Sequence, residues 1–322
     1  MNTSDKQLKN TRPKYSVAVV ANMSAGKSTL INAILGQDIL LSRNSSCTFN
    51  IHRIILSSKN KIFEGKISGE QYSPVTTNKM QHWNNVPHDI VNLKGFPFSS
   101  YLVEQSDLVI YDTPGLNDAN NTNETELPYF GLKKRHIDML VCVLDYRFPA
   151  TVEEYSLLQK VKKLLSNRKN TKLVFFVNQI DNYKEQDEPL NFYFRTTKKR
   201  LRKLGFKEFA LFFGSAYHAL LLRQVKQGKL KTLWDRSNLE RICKVQNHIS
   251  QKYNALFKKI CIPSIKRNFE ANRKDSIQLE IVLGQNEDFI LKTEEILYLE
   301  AISGILALEK QIYTEMKNGS RN

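Results

Sequence analysis

Eight residues, Ala21-Asn22-Met23-Ser24-Ala25-Gly26-Lys27-Ser28, have the types and order needed to hold a chain of phosphates. The apolar run Val17-Ala18-Val19-Val20 precedes them, and Thr29 to Leu35 reads as a helix. A strand, a small-residue loop, Gly-Lys-Ser and a helix make up the phosphate-binding loop of a nucleotide triphosphatase. Its backbone N–H groups turn inward around an anion at the positive end of a helix dipole. Lys27 adds a point charge for the β- and γ-phosphates, and the Ser28 hydroxyl suits Mg²⁺. Asn22, Met23, Ser24, Ala25, Gly26, Lys27, Ser28 and Thr29 are therefore expected along the nucleotide. The usual first glycine is Ala21, a small residue that can serve there.

Later segments narrow the nucleotide to GTP or GDP. Asp112-Thr113-Pro114-Gly115 follows an apolar run ending at Tyr111. An acid at this place holds Mg²⁺, and the Gly115 N–H can approach the γ-phosphate because no Cβ blocks it. Asn178-Gln179-Ile180-Asp181 follows Val177 and resembles the Asn-Lys-x-Asp guanine motif. The Asp181 carboxylate can accept from the guanine ring N–H and its exocyclic amine, and with adenine it would be left unpaired. Gln179 replaces the usual lysine, whose stem packs over the base, so weaker affinity is expected. Gly214-Ser215-Ala216 resembles the loop whose backbone meets the guanine oxygen. Thr48, in the polar run Arg43 to Thr48, is the candidate switch threonine, with its hydroxyl on Mg²⁺ and its backbone on the attacking water. The expected metal set is thus Ser28, Thr48 and Asp112, and Lys27 and Gly115 complete the catalytic group.

These motifs need elements to hold them. Further apolar runs lie at Leu108–Tyr111, Met139–Leu144, Leu173–Val177 and Phe209–Phe213, with helical stretches between. Near-continuous apolar strands belong to a sheet covered on both faces. Strand–helix alternation implies a doubly wound α/β domain with its ligand at the carboxyl ends of the strands, where each motif falls. After about residue 220 the strand pattern stops. Leu239–Phe257 and Phe289–Met316 read as helices, and Ile302, Ile305, Leu306 and Ile312 form a stripe that needs a partner. The expected division is a polar arm at 1–13, a GTPase domain at 14–250 and a helical segment at 251–322. Asn117 to Thr125 reads as a polar loop.

At 322 residues and 41% hydrophobic content the chain can bury a large core. No apolar run approaches the ~18–20 residues of a membrane span, and Met1 to Lys14 lacks the apolar core of a secretory signal. Cys47, Cys142, Cys243 and Cys261 form no C-x-x-C pair, which fits a reduced cytosolic compartment. His52, His82, His88, His136, His218 and His248 show no metal-ligand spacing, and Trp83 and Trp234 read as packing residues. The net charge is +16. Residues 221–275 carry 14 Lys/Arg against four Asp/Glu, whereas 276–322 carry four against eight. Such polarity suits an anionic partner or a solvated helical face.

The stretch Ser24-Ala25-Gly26-Lys27-Ser28-Thr29-Leu30-Ile31-Asn32-Ala33-Ile34-Leu35-Gly36, read with the other motifs, resembles the bacterial dynamin-like large GTPases. Ile39-Leu40-Leu41-Ser42-Arg43-Asn44 through Thr48, with Asp145-Tyr146, resembles the branch linked to chromosome partitioning and the replication clamp. Ser303-Gly304-Ile305 to Leu308-Glu309 is similar to a helical segment following the GTPase domain in such proteins. The 64 residues from Thr48 to Asp112 leave room for extra strands and a helix, expected around Ile62–Ile67 and Tyr101–Val103.

The resemblance implies Mg²⁺-dependent hydrolysis of GTP to GDP and phosphate. It also implies dimerisation across the nucleotide site, with a second copy or another dynamin-like chain, and membrane remodelling by a cytoplasmic or peripheral membrane protein. Met23 stands where eukaryotic dynamins carry a water-orienting glutamine, and Leu116 where small GTPases carry theirs. Slow basal hydrolysis is therefore expected, with Thr48, Mg²⁺ and a dimer partner completing the site. About 100 residues follow Ser215, too few for a full neck and stalk. Either the chain is part of a longer protein or another chain supplies the missing helices. The basic run Lys198–Leu204 reads as a covering helix, with a nucleic-acid or lipid patch as the alternative. Lys258, Lys259, Lys266 and Arg267 suit either anionic lipid or a solvated neck helix. The alternative function is a GTP-switched module acting on chromosome, replication or RNA machinery, with nucleic acid the less favoured partner.

Overall fold

The computed structural model describes residues 12–41, 50–86, 90–114, 132, 135–230, 233–253, 255–256, 281–283, 289–291 and 293–319. Thr48, Gly115, Leu116, Cys47, Cys261, the Asn117–Thr125 loop and the 258–267 basic segment lie outside these residues.

A mixed nine-stranded sheet runs β4 (Ser73–Pro74), β3 (Glu64–Lys66), β5 (Ile90–Gly95), β2 (Ile51–Leu56), β6 (Asp107–Asp112), β1 (Lys14–Ala21), β7 (Met139–Asp145), β8 (Lys172–Asn178), β9 (Ala210–Phe213). From β6 to β9 all pairings are parallel, while β2 meets β6 antiparallel, with His52 opposite Asp112. The five strands from β6 to β9 are the apolar runs read from the sequence. Alternate residues face two cores. Ala18, Val20, Cys142 and Phe175 pack on one side with α3 (Val152–Leu165) and α4 (Leu190–Lys203). Val17, Val19, Val141 and Phe176 pack on the other with α1 (Lys27–Leu35) and α2 (Thr77–Asn84). This two-sided cover is the doubly wound arrangement.

In the extra segment Thr77–Asn84 is a helix and Ser100–Val103 a 3₁₀ turn that buries Leu102 and Val103. One expectation is corrected. Phe289–Met316 is not one helix. Phe289–Leu291 pairs as a strand with Ile281–Leu283, and the helical part is two helices, α7 (Thr293–Ile302) and α8 (Ile305–Gly319). The break is at Ser303–Gly304, where Gly304 has φ +82°, a left-handed conformation that ends a helix and suits glycine. The strand at Glu64–Lys66 lies in the extra segment where one was expected. β2 and β5 went unread because polar residues such as Arg53, Asn92 and Lys94 interrupt them.

After β9 come α5 (Ala216–Lys226) and α6 (Leu233–Lys252). The apolar stripe of α8 is covered, with Ile305, Leu308, Ile312 and Met316 buried in the core that holds α1. The basic run on α4 is a covering helix that buries Thr197 and Leu201. Trp83 is buried and its indole N–H donates to Glu70, whereas Trp234 is exposed.

Candidate nucleotide site

The carboxyl ends of β1, β6, β8 and β9 meet at one edge of the sheet. β1 runs through Ala21, a fully buried strand residue paired with Val143, so no turn glycine is needed there. Asn22 to Ala25 then form the loop, and Gly26 caps α1 with φ +85°. A Cβ at Gly26 would sit 2.3 Å from the Asn178 side-chain amide. Glycine at 26 thus lets the phosphate loop and the guanine-type motif close on each other. Asn178 Nδ2 donates to the Ala25 carbonyl (2.8 Å), and its Oδ1 accepts from the Ala216 N–H (2.9 Å). One side chain therefore ties together three of the segments singled out in the sequence.

Ser28 and Thr29 lie in the first turn of α1, partly accessible, where backbone N–H groups and the helix dipole favour an anion. Asn32, further along α1, is fully buried. Its side chain bonds the Ile39 and Leu40 N–H groups and the Leu40 carbonyl, pinning the segment that leads to residue 42.

The Lys27 ammonium is buried and bonded to Asp112 Oδ1. Asp112 Oδ2 lies 3.2 Å from His52 Nδ1, and His52 Nε2 lies 2.8 Å from Asn84 Oδ1. Burial pushes the Asp112 carboxyl up, but Lys27 and His52 outweigh it and hold the group below its ordinary range. It is therefore an anion at neutral pH. Thr113 donates to the Val19 carbonyl (3.0 Å) and fixes the segment after β6 against β1. His52 and Asn84 were not found by sequence reasoning. They sit in no motif, and only strand register brings His52 opposite Asp112.

Gln179 adopts φ +68° and lays its amide over the phosphate loop. Nε2 donates to the Ser24 carbonyl (2.9 Å) and lies 3.3 Å from Asp145 Oδ2. Arg147 pairs with the same Asp145 carboxylate. Asp181 follows in the short turn Ile180–Asn182 and is buried. The Ile180 N–H donates to the Gly214 carbonyl, which ties this turn to the next loop. Ser215 caps α5 through its hydroxyl, accepting from the His218 N–H. The Ser215 N–H donates to the Ser303 carbonyl.

Beside the phosphate loop a cleft of about 320 Å³ opens between Met23 and the start of α3, lined also by Asn22, Asp145, Phe148 and Thr151. Met23, Phe148, Val152 and Tyr155 are each more than half exposed. Single-residue motifs gave no sign of this edge.

The sequence matches the dynamin family over residues 17–181, just over half of the chain. A search of curated proteins gives no match. Among solved structures, similarity extends to a protein from an oligomerised bacterial dynamin pair, described as a mechanism for long-range sensing and tethering of membranes. It is 16% identical, covers 81% of this chain and 44% of that one, and has a TM-score of 0.49. Era from Aquifex aeolicus, bound to GDP and AlF4⁻, is 16% identical over 68% of this chain and 56% of its own (TM-score 0.37). The G domain of the FeoB iron transporter of T. maritima is 16% identical over 68% of this chain and 98% of its own (TM-score 0.32). The chain spans less than half the length of the bacterial dynamin. The family match itself runs from the first buried strand to Asp181, taking in Lys27, Asp112 and Asn178, and on that ground the chain belongs to the dynamin family of GTPases.

Proposed function

We propose that this chain binds GTP at the edge described above, hydrolyses it with Mg²⁺, and works as a dimer closed over that edge on an anionic membrane. The observation that carries the reading is Asn178, whose amide joins the phosphate loop at Ala25 to the guanine-type loop at Ala216. A nucleotide lying along this line has its phosphates at Gly26, Lys27 and Ser28 and its base near Asp181, Ser215 and Ala216. Lys27 exchanges Asp112 for phosphate oxygens, freeing an already ionised carboxylate.

The Ser28 hydroxyl and the Asp112 carboxylate are hard oxygen donors of the kind Mg²⁺ takes, and they would hold it. Bound there, the ion supplies charge neutralisation at the β- and γ-phosphates. Thr48 and Gly115 keep the switch roles proposed from the sequence. Gln179 supports the loop through Ser24 in place of a lysine stem.

The dimer is supported by the exposed apolar side chains of Met23 and Phe148, which line one cleft, and of Val152 and Tyr155, one turn apart on the adjoining α3. Met23 also places an aliphatic side chain where a water-orienting group would be useful, which favours slow turnover by one chain alone. A membrane as the anionic partner is supported by the charge of +16. No helix among the described residues is long and apolar enough to cross a membrane.

The test is GTP turnover with Mg²⁺ as a function of protein concentration, with and without anionic liposomes. Specific activity should rise with concentration and with liposomes, and Lys27→Ala should abolish GTP binding by calorimetry. ATP bound as tightly as GTP would remove the guanine assignment. A flat specific activity would remove the dimer.

A further inference from the structure

We propose that the turn between α7 and α8, Ser303–Gly304, positions the guanine-type loop and so sets base affinity from outside the nucleotide site. The inference rests on the guanine reading of Asn178, Asp181, Ser215 and Ala216.

The contact is backbone to backbone. The Ser303 carbonyl accepts from the Ser215 N–H at 2.9 Å. A Cβ on Gly214 would lie 2.1 Å from that carbonyl oxygen, and a Cβ on Gly304 would lie 2.3 Å from the Phe213 carbonyl oxygen. Both positions therefore exclude a side chain for the same reason, which is that the two chains touch there. Burial alone does not need this approach, since two alanines would cover as much apolar surface. What it provides is a fixed place for the loop. Ser215 has its N–H committed to α7–α8, and the next N–H, Ala216, bonds Asn178, which holds Ala25 of the phosphate loop; on nucleotide binding it is the Ala216 N–H that exchanges Asn178 for the base oxygen, while Ser303 keeps the loop in place. An unbroken line of hydrogen bonds thus runs from Ser303 to the phosphate loop.

The flanks of the turn are anchored as well. Arg223, fully buried on α5, donates to Glu300 on α7, to Glu309 on α8 and to the Ala33 carbonyl on α1. Lys226 adds a second bond to Glu300. The turn therefore cannot slide without breaking a dry ionic cluster, and the loop cannot shift without the turn.

The direct test is calorimetry on the full chain with GDP and with the 2-aminopurine nucleoside diphosphate, which keeps the amine but lacks the base oxygen and, with it, the ring N–H. Gly304→Val forces the two backbones apart. GDP affinity should fall roughly tenfold, the worth of about one well-aligned hydrogen bond. The 2-aminopurine nucleotide should be nearly unaffected, so that the preference between the two narrows. Partial unfolding alone would lower the binding stoichiometry and leave the affinity of the folded fraction intact.

Coupling must also be reciprocal, so in the unmodified protein GDP should slow amide exchange at Ser303 to Leu308 more than at β3 and β5. This second measurement needs no variant to fold. Unchanged GDP affinity in Gly304→Val, equal losses for both nucleotides, or no selective protection of the turn would overturn the proposal while leaving the guanine reading intact. An unmodified protein indifferent to guanine over adenine would overturn both.

Discussion

Replacing Arg223 by methionine keeps much of the volume and removes one charge from a cluster that holds three elements together. Arg223 and Glu309 are fully buried, and Glu300 nearly so. Burial pulls the guanidinium toward losing its proton, but Glu309 and Glu300 outweigh it and hold its pKa above the ordinary value. Burial likewise pushes Glu300 up, and Lys226 and Arg223 bring it below its usual range. Stranding a buried partner in this way costs about 3–5 kcal/mol. Glu300 retains Lys226, and Glu309 retains Ser99 Oγ and Tyr101 Oη, which argues for the lower end. The Ala33 carbonyl loses the Arg223 bond as well and keeps only the Gly36 N–H, about 1 kcal/mol more. The expected total is about 4 kcal/mol, a large part of the roughly 5–15 kcal/mol that holds a domain together. Urea unfolding should show the midpoint falling with little change in slope, and melting should drop by on the order of 10 °C. Adding Glu300→Gln and Glu309→Gln to Arg223→Met should restore at least half of the loss, because the charge then left without its partner, Lys226, still reaches solvent. A loss below about 1 kcal/mol, or a triple variant no more stable than the single one, would refute the claim that this cluster is dry.

Asp181→Asn should exchange guanine for xanthine preference, since an amide N–H can donate to the oxygen that xanthine carries in place of the amine. Calorimetry should show GTP affinity falling roughly 100-fold, as expected when a polar site is left mispaired, and an unchanged GTP affinity would count against the base assignment. His218 supplies a pH test. It is fully buried, and burial lowers its pKa to about 3. Between that value and its unfolded value near 6.5 the unfolded chain binds the extra proton, so stability falls as pH drops through 6.5. From pH 7.5 to pH 5 the term is about 2 kcal/mol. His218→Gln should lose less stability over that interval by this amount in paired urea titrations, and parallel curves would show that the site is wet.

What could be read from the sequence, and what could not, divides along a physical line. Four of the five strands read from the sequence, β6, β1, β7 and β8, announce themselves because both of their faces are dry, so Val17–Val20 or Leu173–Val177 need no partner to be recognised. β2 and β5 carry Arg53, Asn92 and Lys94, which are only half-buried, and a strand of that kind is visible only once its neighbour is placed. The site divides in the same way. Lys27, Asp112, Asn178 and Asp181 stand at the ends of dry strands in fixed order, and a chain-local pattern reveals them. His52 reaches Asp112 only through antiparallel register. Ser303 reaches Ser215 across 88 residues of sequence through a carbonyl that no side-chain pattern encodes. The one local sign was Gly304, at a break in an otherwise continuous helical stripe. The sequence reading of Phe289–Met316 as helical runs straight through that glycine, and its φ of +82° and the Phe213 carbonyl at 2.3 Å from its absent Cβ show that it is both a helix end and a contact. Sequence motifs therefore report the groups that would touch the nucleotide, while the groups that hold those in place are specified by backbone proximity. Such groups tolerate few side chains rather than requiring a particular one, so the substitutions that expose them are those that add a Cβ, as at Gly214 and Gly304.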